Sequence, residues 1–170
     1  MERALNGSFK SIVGIDIASA AIETAKKTGL NVQFLEYDGS KIPFHDNEFD
    51  IVFACCVFHH IPPHQRLSIV AEMSRVVVPG GLMVLFEHNP WNPLARIIVS
   101  RCEFDQDAIL LPVQESKDLF RNAGLNRISS RQLLYFPWRS KFWKLLESLI
   151  GWAPFGAQYV VYGCKPEKSF

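Results

Sequence analysis

Short β-branched runs alternating with helix-forming stretches constrain this chain more than any other feature. Ser11–Ile17 (SIVGIDI), Val32–Glu36 and Asp50–Val57 (DIVFACCV) read as strands, the last fully buried. Between the first two, Ser19 can cap a helix over Ala20–Thr28, with Lys26 and Lys27 near its end and Gly29 beyond it. Lys41–Glu48 is a polar loop broken by Pro43. Pro62 and Pro63 open a helix that runs to about Arg75, with Leu67, Val70, Ala71 and Ser74 on its inner face. Pro79-Gly80-Gly81 turns into a strand over Leu82–Glu87. Further on, Pro93–Arg101, Gln114–Ala123 and Ser140–Ile150 read as helices, and Arg127–Phe136 and Gln158–Cys164 as strands. Strands separated by helices predict crossover units, hence an α/β fold with a mostly parallel sheet between helices.

Composition narrows the function classes. At 170 residues and 48% hydrophobic, the chain can bury a core, and residues 1–170 read as a single domain. A net charge of +1 with scattered basic residues gives no footprint for duplex nucleic acid. No apolar run is long enough to span a bilayer, and MERALNGSFK has no apolar leader core. The four cysteines form no CxxC and no ligand spacing, and Cys55 and Cys56 read as buried thiols. These features point to a reducing, cytoplasmic setting without a structural zinc.

In open α/β sheets ligands bind beyond the carboxyl ends of the strands. Asp16 ends the first strand, where its carboxylate can accept from a ribose diol or simply stabilise a helix N-terminus. Asp38-Gly39 follows the next strand and can reach an adenine amine or form an Asx turn. One strand–helix–strand unit separates the two acids, so both fall on one sheet edge, where together they would grip an adenosine.

The blocks GIDIASAAIETAKK, EYDGSKIPFHDNEFDIVF, VFHHI and RVVVPGGLMVLFEHNP occur in this order over Ser11 to Asn89. They resemble consecutive blocks of class I S-adenosylmethionine-dependent methyltransferases, nearest the small-molecule branch that includes quinone-biosynthesis enzymes. QYVVYGCKP resembles that fold's last, antiparallel strand. The resemblance implies a Rossmann-like methyltransferase sheet, S-adenosylmethionine as cofactor and a small-molecule acceptor, lipidic or glycosidic. It implies that Asp16 holds the ribose, Ile17 packs on the adenine, and Asp38 with Gly39 contacts the adenine amine. It puts Ala54 and Cys55 under the methionine part of the cofactor and His60 near the acceptor. No catalytic residue is carried over, because the family has no universal one.

The family's acid-x-GxGxG loop has no counterpart, since none of the ten glycines has G-x-G spacing. No strand is read before Ser11, so the expectation is a sheet lacking its first strand and a chain incomplete at its N-terminus. Loss of that central strand would expose two inner strands, which invites self-association or a partner chain. A second reading follows: an inactive methyltransferase-like fragment or subunit that needs a partner. A dinucleotide-dependent oxidoreductase ranks a distant third, because no GxGxxG follows any strand.

Two further groups carry chemistry. His59 and His60 include a candidate base, with one imidazole packing under the sheet edge and the other lining the pocket. Glu87-His88-Asn89 ends another strand on the same edge; His88 and Asn89 read as acceptor lining, and the sequence clusters too few ligands for a metal. The segment 138–152 carries an apolar stripe flanked by Arg139, Lys141 and Lys144. It reads as a helix packed on the sheet, with a lid over a lipid-like acceptor or weak contact with a membrane surface as the alternatives.

Overall fold

In a computed structural model of the chain, residues 9–134 and 154–167 are described. The chain groups into two compact units, Met1–Pro43 and Phe44–Phe170.

The first unit is one crossover. Strand β1 (Val13–Asp16) leads through helix α1 (Ser19–Lys26) to β2 (Gln33–Glu36), and the two strands pair in parallel with Asp16 opposite Glu36. Gly14 lies against the Phe34 ring, where a Cβ would come within 2.9 Å of a ring carbon. The helix starts one residue earlier than expected: Ala18 is the N-cap, with no side-chain cap, and Ser19 is the first helical residue. The Asp16 carboxylate takes the Ala18 N–H at 2.9 Å, turning the chain into the helix without a capping hydroxyl.

The second unit holds β3 (Phe49–Cys55), α2 (Pro63–Val76), β4 (Val77–His88), α3 (Pro93–Arg101), α4 (Val113–Asn122), β5 (Asn126–Leu133) and β6 (Gln158–Cys164). Its sheet has the order β3-β4-β6-β5. β3 and β4 are parallel, whereas β6 runs antiparallel to both its neighbours, as expected for the last strand. Val70, Val77, Met83, Leu85, Phe120 and Val161 form the most buried part of the core. Tyr159 is also fully buried, and its hydroxyl donates to the Leu111 carbonyl at 2.9 Å and lies 2.7 Å from Ser116 Oγ.

Three expectations are corrected here. β3 is not fully buried: Asp50, Ile51 and Cys55 are exposed, because β3 is the sheet's edge and pairs only with β4 among the described residues. Cys55 is thus an exposed thiol, and Cys56 is half-buried. The inner face of α2 is turned: Leu67 and Ala71 are exposed, while Arg66, Ile69, Val70, Met73 and Ser74 are buried. A buried arginine claims the position that hydrophobic patterning gives to Leu67. Finally, Pro79-Gly80-Gly81 lies inside β4, opposite a register shift between Phe49 and Ile51. The proposed helix over Ser140–Ile150 and the segment 138–152 fall outside the described residues.

At Gly81 the backbone of β3 closely approaches that of β4. A Cβ there would sit 2.8 Å from the Asp50 carbonyl oxygen, 2.9 Å from that of Val78 and 2.7 Å from Val77 Cγ1. Two of these contacts are backbone and cannot swing aside. Gly81→Ala is therefore expected to cost about 1–3 kcal/mol. Thermal melts should show Tm falling by roughly 2–4 °C per kcal/mol; an unchanged Tm would contradict this contact.

Candidate functional site

At the carboxyl end of β1 and β2, the first unit gathers four of the expected cofactor residues. Asp16 and Ile17 end β1 exposed, Ile17 by 64%. Asp38 lies two residues past β2, and its Oδ1 accepts the backbone N–H groups of Ser40 at 2.8 Å and Lys41 at 3.2 Å. The Ser40 N–H foremost holds this exposed carboxyl below its ordinary range. Gly39 has φ +78°, and a Cβ on it would lie 3.1 Å from Ile17 Cγ2. Tyr37 lies between the acids: burial first, then the charges of Asp16 and Asp38, push its phenol above the ordinary value.

The local-turn reading of each acid is present, because Asp16 and Asp38 each accept backbone N–H groups one turn ahead. Both carboxylates belong to exposed residues, and a hydroxyl hydrogen bond from Ser40 adds to the hold on Asp38. An adenosine needs acceptors for its ribose diol and adenine amine and an apolar face for its ring. Two carboxylates flanking an exposed isoleucine, beside a residue whose side chain is absent, fit those needs.

The second unit places its chemistry at the carboxyl ends of β3 and β4. Ala54 is half-buried and Cys55 exposed at the end of β3. Cys56 then takes a left-handed conformation, φ +55°, which turns the chain into a 3-10 turn over Phe58–His60. Its thiol is held protonated, first by a hydrogen bond with Cys55 and then by burial. The turn is fastened by Glu87, a fully buried residue near the end of β4. Glu87 Oε1 accepts the N–H groups of Val57 at 3.0 Å and Phe58 at 2.7 Å, and Oε2 lies 2.7 Å from His59 Nδ1.

The paired histidines split as expected, His59 buried and His60 half-exposed. Both face Asp105, whose Oδ1 lies 3.4 Å from His59 Nε2 and 3.2 Å from His60 Nε2. Burial by itself lowers the His59 pKa, but the Glu87 carboxylate, helped by Asp105, outweighs it and the net shift is upward. Burial raises the Asp105 carboxyl, but a hydrogen bond from Cys102 and the His59 charge carry it below its ordinary value. His88 goes the other way, lowered by burial and then by His59, whose ring centroid is 5.4 Å away.

Asn89 departs from its expected role. It is buried, its amide nitrogen donates to the Pro154 and Gly156 carbonyls at 2.9 and 2.7 Å, and its Oδ1 accepts from the Trp91 N–H at 3.0 Å. The asparagine closes the turn-rich EHNPWNP segment.

Sequence reasoning missed Asp105 and Arg66. Buried Arg66 donates to the Ile61 and Ile109 carbonyls at 3.0 and 2.6 Å and to Glu115 at 2.6 Å. It thereby ties the segments on which His60 and Asp105 sit. Neither residue lies in a periodic pattern, and Asp105 is 46 residues from His59, so no local signal marks them.

Comparison with known proteins gives the class. Residues 1–85 match the family model described as a methyltransferase domain. The chain has a TM-score of 0.70 with an S-adenosylmethionine-dependent methyltransferase of Thermotoga maritima, at 20% identity over 91% of this chain and 72% of that one. It has a TM-score of 0.69 with the solved complex of the Haloferax volcanii Trm112 activator and a methyltransferase, at 18% identity over 99% and 78%. At these identities the likeness shows the fold, a Rossmann-like methyltransferase sheet. The chain belongs to the methyltransferase-domain family, the class I S-adenosylmethionine-dependent methyltransferases. S-adenosylmethionine is the cofactor of that class.

Among curated relatives, an uncharacterized methyltransferase of Synechocystis is 32% identical over 94 residues, 52% of this chain and 44% of its own length. The demethylmenaquinone methyltransferase of Staphylococcus epidermidis is 36% identical over 98 residues, 55% and 40%. The chain spans less than half the length of these relatives.

The Glu87–His59 contact sets a pH dependence. Because the folded His59 pKa is raised, its proton contributes stability that is fully present below about pH 6.5. That contribution fades as pH rises through the folded value. Glu87→Gln, which leaves the buried imidazolium without its carboxylate, should cost about 3–5 kcal/mol at pH 6 and distinctly less at pH 9. Urea melts of both chains in EDTA-treated buffer check this; an equal cost at the two pH values would contradict it.

Proposed function

We propose that this chain transfers a methyl group from S-adenosylmethionine to a small-molecule acceptor. The observation that carries the reading is the pair of exposed carboxylates, Asp16 and Asp38, at the ends of two parallel strands with Ile17 and Gly39 between them. Asp16 takes the ribose hydroxyls, Asp38 the adenine amine, and Ile17 the ring face. Ala54 and Cys55 in the second unit keep the methionine-side role that the resemblance gives them.

The bound cofactor supplies an electrophilic methyl on sulfur. What a protein must add is alignment, which can account for about 7–11 kcal/mol of barrier. On the acceptor side His60 and His88 are proposed to orient the nucleophile, His60 half-exposed and His88 kept neutral by its burial. A lipidic or glycosidic acceptor is the class proposed; the Staphylococcus relative's name, demethylmenaquinone methyltransferase, is in keeping with an apolar one. None of the four cysteines is in a disulfide, which supports a reducing, cytoplasmic setting. Among the described residues no helix is long and apolar enough to cross a membrane.

A second reading has its own observation. The outer edge of β3, with Ile51 38% exposed, pairs with nothing among the described residues. An unpaired apolar edge recruits strands, so a subunit completed by a partner or a second copy is the alternative, and one solved neighbour is a complex with an activator.

Calorimetric titration with S-adenosylhomocysteine separates the two. The expected result is micromolar binding by the chain alone, weakened roughly 10- to 100-fold in Asp16→Ala, the loss of one or two charge-assisted hydrogen bonds. No binding by the folded chain would reject the first reading and favour the second.

A further inference from the structure

We propose that His59, His60 and Asp105 form a binding site for a divalent transition metal of the zinc type. The three residues offer their ligand atoms within 4.8 Å of one another. Tetrahedral ligands at zinc–nitrogen and zinc–oxygen distances of about 2.0–2.2 Å stand roughly 3.3–3.6 Å apart. Asp105 Oδ1 is already 3.4 Å from His59 Nε2 and 3.2 Å from His60 Nε2. Little movement separates this arrangement from a coordination sphere.

The support behind the ligands is the second observation. Glu87, fully buried, sits 2.7 Å from His59 Nδ1 and fixes the ring so that Nε2 faces Asp105. A carboxylate holding the far nitrogen of a histidine is the usual way a protein orients a metal-binding imidazole. The Ile109 N–H donates to the His59 carbonyl at 2.8 Å, and Arg66 holds the Ile109 carbonyl at 2.6 Å, which anchors the chain just beyond Asp105. Charge also balances: Glu87 and Asp105 bring two negative charges beside neutral imidazoles, which one divalent cation cancels.

Two imidazoles and one carboxylate favour zinc, cobalt or nickel over magnesium or calcium. The side chain of His60 is 43% exposed and that of Asp105 14%, so the sphere is open on one side. Three protein ligands with an open position define a site that takes water or an oxygen of a bound molecule, as catalytic zinc sites do. An oxygen-bearing acceptor is the ligand class it fits. The inference rests on the second unit alone and stands or falls apart from cofactor binding.

The test uses the whole chain freed of metal. Titration with Co²⁺ should give visible absorption bands of a four- or five-coordinate ion that saturate at one equivalent and are displaced by Zn²⁺ but not by Mg²⁺. His60→Ala and Asp105→Ala, checked for folding by circular dichroism, should each weaken Zn²⁺ binding at least tenfold in calorimetry, while Cys55→Ser leaves it unchanged. His60 is exposed enough that its variant keeps the test valid even where Asp105→Ala unfolds. Absence of stoichiometric Co²⁺ uptake by the folded chain, or unchanged affinity in the histidine variant, would overturn the site.

Discussion

The second unit depends on a carboxylate that water never reaches. Burying a charge costs several kcal/mol unless hydrogen bonds and a counter-charge offset it. Glu87 finds two backbone N–H groups and an imidazole, all from the turn that follows β3. The turn in turn needs Glu87. Cys56 sits in the left-handed region at φ +55°, a conformation that costs a non-glycine residue about 1–3 kcal/mol. The N–H groups so presented at Val57 and Phe58 are those Glu87 accepts. Strand end, strained turn and buried histidine therefore form together, and their product is an imidazole pair facing Asp105.

The first unit works by simpler means. A single crossover sets two parallel strand ends side by side, and each ends in a turn closed by its own aspartate. Each carboxylate accepts in its own turn while its residue stays exposed. Adenosine recognition in this account needs no buried polar network, only acceptors held in place by short local bonds. The two units thus divide the labour, local turns presenting acceptors in one and a buried charge network ordering imidazoles in the other.

How much of this the sequence shows follows from the range of each interaction. The strands, the crossover, the antiparallel last strand and the carboxylates at strand ends are written in short-range patterns, and the structure has them. The residues proposed for the cofactor, from Asp16 to Gly39, are legible because they lie within one strand–helix–strand unit. The burial of β3 is misjudged because an apolar run looks the same at a sheet's edge as at its centre. The face of α2 is misjudged because Arg66 is buried, its guanidinium satisfied by two carbonyls and Glu115, all outside its own helix. Asp105 is invisible for the same reason, and so is the structural duty of Asn89, whose amide nitrogen finds its partners 43 to 67 residues away. Long-range polar contacts leave no periodicity behind them.

The central claim is that the carboxyl ends of β1 and β2 hold the methyl donor. Backbone amide spectra of the isotopically labelled chain, recorded with and without S-adenosylhomocysteine, test it most directly. The account predicts that the largest shifts within residues 9–43 fall at Asp16 to Ala18 and Asp38 to Lys41. Saturable binding that leaves those amides unmoved would contradict it.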